Sequence, residues 1–492
     1  MKPRILTIAA ICAVIGAVPL ARVALSQGAQ PPSTKGVVIK GKAPVSNEVL
    51  KVKLPRPQEA DLPNGIHLMF LEDHRSPQVT MQLIIPGAGG YYDPAEFTGV
   101  AGFTAAMMLE GTATRTAQQI AQEQEAMASS VSVSAGGAGE MASVYASSLI
   151  ENFDRTLTLA TDLLFHPSFP EEELARYKAR QKSTAVQMRM SPGFLAAERY
   201  SAVIYGSHPN SRVAPSPAEI DKVTREAIVA FHRVHYVPDQ AIVAVVGDLT
   251  FAETRRKIEA ALGEWKKAGA AVPPVKDPEE VGAPKVYLVD RANSVQTSLV
   301  VGAPAINRVS ADYDVFSLLN SIIGGGPTGR LFLNLREDKG WTYGAYSGLS
   351  APRFRGDWSA STEIRGDVTG QAVGEILNEI ARLRTELVPE KEFGDKQRSL
   401  VASFALSLET PTAILSNYIT SRRYKFPADY WDKYPERIMA ITREQVQATA
   451  KKYFDPSRIQ IIAVGDGTKI AEGLKKYGTL EVYDTEGRRK PM

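Results

Sequence analysis

Residues 442–466 carry Thr442-Arg443-Glu444, then Pro456, then Val464-Gly465-Asp466, and the same signs stand earlier at Thr224-Arg225-Glu226, Pro238 and Val246-Gly247-Asp248. Ser76 and Gln78 likewise return as Ser294 and Gln296. Every pair is separated by 218 positions. Matches in the same order at one offset mark a tandem duplication. A repeat this long defines two homologous domains, because solenoid repeats run only about 20–50 residues.

Within the first copy, strand patterns at 66–72, 78–86, 144–148 and 241–246 alternate with helical patterns at 99–110, 116–127, 152–165, 171–190 and 216–232. That mixture predicts an α+β fold in which each half is a mainly antiparallel sheet packed with helices. The expected organisation is a signal peptide at 1–26, a flexible leader at 27–45 and a first domain at 46–267. A linker at 268–284, a second domain at 285–477 and a solvated tail at 478–492 follow. The linker holds four prolines and permits a hinge between the halves.

The N-terminus sets the compartment. Lys2 and Arg4 precede an apolar run from Ile5 to Ala21, and Ala24-Leu25-Ser26 offers small residues for cleavage, the pattern of a secretory signal. A periplasmic or secreted bacterial protein follows, with no membrane span after cleavage. The single cysteine, Cys12, lies inside that signal, so the mature chain has neither disulfide nor cysteine nucleophile. Loss of Lys2, Arg4 and Arg22 takes the net charge from +3 to zero, which argues against a nucleic-acid partner.

The segment from Gly324 to Tyr343, GGGPTGRLFLNLREDKGWTY, reads as a helix-to-strand connection that delivers Arg336 and Tyr343 into a cleft. It lacks the Lys-Ser/Thr ending of a phosphate loop. His232 and His235, the only closely spaced pair among six histidines, fall near a helix end and read as a dipole-facing pair rather than metal ligands. No G-x-S-x-G elbow supports a serine triad.

The duplicated halves, the helix from Gly99 ending in Glu110-Gly111-Thr112, and the phrase from Gly324 to Tyr343 together resemble the inverzincin metallopeptidases, the family of pitrilysin, insulin-degrading enzyme and mitochondrial processing peptidase. The resemblance covers nearly the whole mature chain and departs at the catalytic motif. Family catalysts carry H-x-x-E-H, two histidines one helical turn apart on zinc with a glutamate base beside them. Here Gly102 and Ala106 stand at the histidine positions and Ala105 at the glutamate position. Ser183 and Thr184 stand where the third ligand is expected.

Arg336 and Tyr343 match the family's Arg and Tyr, seven residues apart, which reach the zinc site from the second half. The resemblance therefore implies a non-zinc-binding subunit of a heteromeric zinc metallopeptidase that degrades or processes peptides. No cofactor is expected in this chain. Zinc is expected in a homologous partner carrying H-x-x-E-H, with Arg336 and Tyr343 as catalytic residues in the partner's site. The alternative is a non-enzymatic peptide-binding or scaffold subunit.

Overall fold

Three strands of the second half repeat strands of the first with the same offset that the sequence shows. The computed structural model describes residues 48–269 and 272–491, so the expected signal and leader lie outside the described residues. The strands are β1 (Gln58–Asp61), β2 (His67–Glu72), β3 (Gln78–Pro86), β4 (Ser130–Ser134), β5 (Met141–Leu149) and β6 (Ile242–Gly247), then β7 (Lys285–Asp290), β8 (Gln296–Pro304), β9 (Thr342–Ser350), β10 (Asp357–Arg365), β11 (Gln460–Gly465) and β12 (Thr479–Tyr483). Adding 218 to the bounds of β2, β3 and β6 gives those of β7, β8 and β11, and the helix Arg225–His235 maps in the same way onto Arg443–Tyr453.

Two mixed six-stranded sheets result, ordered β1-β2-β6-β3-β5-β4 and β12-β7-β11-β8-β10-β9. Most neighbours are antiparallel; the parallel pairs are β2 with β6, β7 with β11 and β7 with β12. The expected α+β class is observed.

The central strands explain how the halves are joined. Ile242-Val243-Ala244-Val245-Val246-Gly247 is buried along its whole length, and so is β11. A strand apolar on both faces needs cover on both. Val243 and Val245 face helices of their own half, such as Phe153–Phe165. Ile242, Ala244 and Val246 face Leu415, Tyr418 and Ile419 of the helix Pro411–Tyr424, which belongs to the second half. The exchange is reciprocal. Leu195, Tyr200 and Ile204 of the first-half helix Pro192–Tyr205 pack on Val300, Ile462 and Val464 of the second sheet. Each buried Leu or Ile is worth roughly 1.5–3 kcal/mol, so separating the halves would expose two apolar sheet faces at once.

The linker is strapped to both halves. Tyr92 donates its hydroxyl to the Pro273 carbonyl at 3.0 Å, and Lys276 donates its N–H to the Tyr91 hydroxyl at 3.0 Å. His208 accepts the Asn210 N–H on Nδ1, which leaves Nε2–H to donate to the Lys276 carbonyl at 3.0 Å. From the second half, Arg355 donates to the carbonyls of Pro278 and Glu279 at 2.9 and 2.7 Å. The linker is thus held by side chains of both halves, and residues from Val49 onward form one compact unit.

Two further readings are corrected. The helix expected over 216–232 is two, Pro217–Lys222 and Arg225–His235, because Thr224 turns extended and its side chain caps the second. The expected tail contains β12, which pairs parallel to β7 and buries Leu480. The alternation of Thr479-Leu480-Glu481-Val482-Tyr483 is a strand signal, outweighed in the sequence reading by the charges that follow it. Among the described residues no single helix is long and apolar enough to cross a membrane.

Candidate functional site

The helix Tyr313–Ile323 ends at Gly324, and the chain must then double back onto β9. A Cβ at Gly324 would sit 2.6 Å from the backbone nitrogen of Ser347, so only glycine lets the turn close, and the Ser347 N–H donates to the Gly324 carbonyl at 2.9 Å. The chain re-enters helix at Arg330–Phe332 and widens into a π-helical turn over Leu333–Asp338, a form frequent at functional sites. The turn is anchored from below. Arg330 is 9% exposed and forks onto both oxygens of Glu392 at 2.7 and 2.8 Å. Asn334 donates to Glu375 and Glu379 at 3.0 and 3.1 Å.

On this platform Arg336 and Tyr343 come together. The Arg336 guanidinium lies 5.7 Å from the centroid of the Tyr343 ring. Tyr343 is 84% exposed, and among the described residues neither side chain makes a hydrogen bond; the nearest opposite charge to Arg336 is Glu337 at 3.9 Å. A groove of about 620 Å³ runs beside Tyr343, lined by Tyr200, Ser298, Tyr346, Ser361 and Glu363. A guanidinium and a phenol with free donors, held side by side on a braced turn, can receive a carbonyl oxygen or an oxyanion.

Of the first-half positions, Gly102 lines another cleft. Gly102 and Ala106 sit one turn apart on the helix Val100–Met107 and are half-buried, while Ala105 is buried. Ser183 and Thr184 are exposed on the helix Glu171–Met188, and the Ser183 hydroxyl donates back to the Ala179 carbonyl at 3.2 Å. The edge-on packing of Tyr177 against Phe103, centroids 5.0 Å apart, sets that helix's rotation and brings Tyr177 and Gln181, again one turn apart, to the cleft containing Gly102. Gln181, rather than Ser183 or Thr184, is therefore the residue of this helix that lines the cleft one turn beyond Tyr177. Helical spacing from the Phe103–Tyr177 contact would locate it; counting along the sequence did not.

This donor set does not fit zinc. Gly102, Ala105 and Ala106 offer no ligand or base, and Gln181 is a neutral amide. Among the described residues no three His, Cys, Asp or Glu side chains are grouped to hold a metal. His232 directs Nε2 to the Leu164 carbonyl at 2.9 Å, and His235 directs Nδ1 to the Gly87 carbonyl at 2.7 Å. Burial holds both below the usual imidazole pKa, which makes them neutral packing residues stacked on Tyr236 and Phe231.

The acid of this cleft is Asp93. Its carboxylate accepts the N–H groups of Gly99 and Ala101 at 2.6 and 2.9 Å and so caps the helix that begins at Val100. Burial pushes its pKa up to about 6, against the two N–H donors and the charge of Arg212, which favour the carboxylate.

Comparison with known proteins gives the same class. Residues 68–213 match the family described as insulinase (peptidase family M16), and residues 222–400 match the peptidase M16 inactive domain. The chain belongs to peptidase family M16, as the resemblance implied. A crystal structure of a peptidase M16 inactive domain from Pseudomonas fluorescens superposes with a TM-score of 0.77 at 27% identity, over 84% of this chain and 98% of that one. A protease from Helicobacter pylori shares the fold, with a TM-score of 0.76 at 16% identity over 84% of this chain and all of its own. Among sequence relatives, the uncharacterized zinc protease YmxG of Bacillus subtilis is 23% identical over 80% of this chain and 94% of its own length. An uncharacterized zinc protease of Mycobacterium tuberculosis is 25% identical over 80% and 90%.

Proposed function

We propose that this chain is the zinc-less subunit of a two-subunit M16 peptidase and lends Arg336 and Tyr343 to the active site of a partner carrying H-x-x-E-H. The observation that carries the reading is the pairing of two donors without hydrogen bonds among the described residues, on a braced turn, in a chain that has Gly102, Ala105 and Ala106 where the family motif carries its histidines and glutamate. A lone guanidinium and phenol cannot hydrolyse a peptide, since neither supplies an activated water. The partner's zinc would supply that water. The part left to this chain is electrostatic. Tyr343 offers one directional O–H, and Arg336 a permanent charge with a planar fork, to the carbonyl oxygen that becomes negative as the peptide bond is attacked. The substrate is then an extended, unfolded peptide enclosed between the two subunits, in the periplasm or outside the cell.

The test is reconstitution. The chain and a homologue with the intact motif are purified separately and mixed, and cleavage of a quenched fluorescent peptide is followed. Activity that needs both chains supports the proposal. Full activity of the homologue alone, unchanged on mixing, removes it and leaves a scaffold or peptide-binding role.

A further inference from the structure

The cleft beside Gly102 has a volume of about 170 Å³, enough for a small terminal residue but not for a folded segment. Arg212, Gln181 and Tyr177 line it. Among the described residues the guanidinium, amide and phenol of these three side chains have no hydrogen-bonding partner within the chain. Asp93, which also lines the cleft, already spends both oxygens on the N–H groups of Gly99 and Ala101. The lining thus holds three donor groups without a bonded acceptor among the described residues, beside a carboxylate that already serves two N–H groups.

The space itself comes from a glycine. A Cβ at Gly102 would meet only the Ala135 carbonyl oxygen, at 3.5 Å, so the position is open toward the cleft and accepts a side chain without moving backbone. Phe103 and Tyr177, packed edge-on, close the apolar side. An open floor, an apolar wall and a half-buried guanidinium that, among the described residues, acts on Asp93 through its charge but bonds no anion are the parts of a carboxylate pocket.

We infer that this cleft binds the C-terminal carboxylate of a peptide, with Arg212 taking the charge and Gln181 and Tyr177 supplying further donors. The pocket uses this chain alone, so it stands or falls separately from the shared active site. A loop cation on one wall and a helix pair on the other would hold a peptide end against the first half, whether or not a partner cuts the peptide elsewhere.

The experiment is calorimetric titration of the full chain, without partner, using the tripeptide Gly-Gly-Ala, the same tripeptide amidated at its C-terminus, and acetate. The free acid is expected to bind, and the amide about tenfold or more weaker because it loses the charge-assisted pair with Arg212. Gly102→Leu should abolish binding by filling the cleft, and a helix interior favours leucine over glycine, so the fold is kept. Arg212→Ala, outside any helix or strand, should do the same with an unchanged thermal midpoint. Equal binding of acid and amide, full binding by Gly102→Leu, or no binding of the free acid at millimolar concentration would each overturn the inference. Acetate binding as tightly as the tripeptide would overturn the peptide end as the ligand.

Discussion

Tyr200, on a helix of the first repeat, donates its hydroxyl to the carboxylate of Asp357 in the second at 2.9 Å, and Tyr205 on the same helix bonds the other oxygen of that carboxylate. Asp357 is 8% exposed and, among the described residues, has no cation against it; burial raises its pKa, while the two phenols oppose that rise. The exchanged helix is therefore fixed on the second sheet by a polar contact inside an apolar patch. Replacing Tyr205 by Phe leaves one carboxylate oxygen buried without its donor. The expected loss is about 1–3 kcal/mol, read as a shift in urea midpoint with unchanged slope. A shift below a few tenths of a kcal/mol would show that the contact is solvated.

The reciprocal exchange predicts that the halves do not fold apart. A fragment ending at residue 267 keeps the helix Pro192–Tyr205 but not the sheet under Leu195, Tyr200 and Ile204. It also leaves Met69, Leu71 and Ile84 uncovered on its own sheet. It should be aggregated or molten, whereas the intact chain should melt in one calorimetric transition. Two resolved transitions, or a well-dispersed NMR spectrum from the fragment, would contradict this.

Asp93 should titrate near pH 6 in a carbon-13 carboxyl NMR experiment, rather than near the ordinary 3.8. The folded state favours its protonated form, so its contribution to stability is full below about 3.8 and is lost as pH rises through about 6. Asp93→Asn has one acceptor where the helix start needs two, and should cost about 1 kcal/mol at pH 7. A titration midpoint near 4 would mean that the carboxyl is hydrated.

Arg330 braces the turn that carries Arg336. Glu392→Ala removes the carboxylate on which the nearly buried Arg330 forks, leaving Glu379 at 3.8 Å as its nearest acid. A loss of about 3 kcal/mol is expected. In a reconstituted complex the turnover number should fall more than the Michaelis constant changes. Unaltered stability and turnover would show that the turn holds its shape without this pair.

Much of the fold could be read from the residues. The offset of 218 between Val246-Gly247-Asp248 and Val464-Gly465-Asp466 recurs in strand and helix bounds, because both copies keep the same buried strands and the same Thr cap. The exchange of helices could not. Leu195, Tyr200 and Ile204 announce an apolar helix face, but periodicity does not say which sheet receives it. Gln181 was missed for a related reason: side chains meet across two helices according to their rotation, which the Phe103–Tyr177 contact sets. Arg336 and Tyr343 were legible only through their family spacing. Their free donors and the buried Arg330 fork beneath them are properties of the folded chain.

The most direct test of the central claim is the peptide-cleavage rate of the reconstituted pair with Tyr343→Phe or Arg336→Ala in this chain. The account predicts an intact complex whose turnover falls about 100-fold or more for Tyr343→Phe, the loss typical of one oxyanion donor, with a comparable fall for Arg336→Ala. Wild-type turnover from both variants would contradict it.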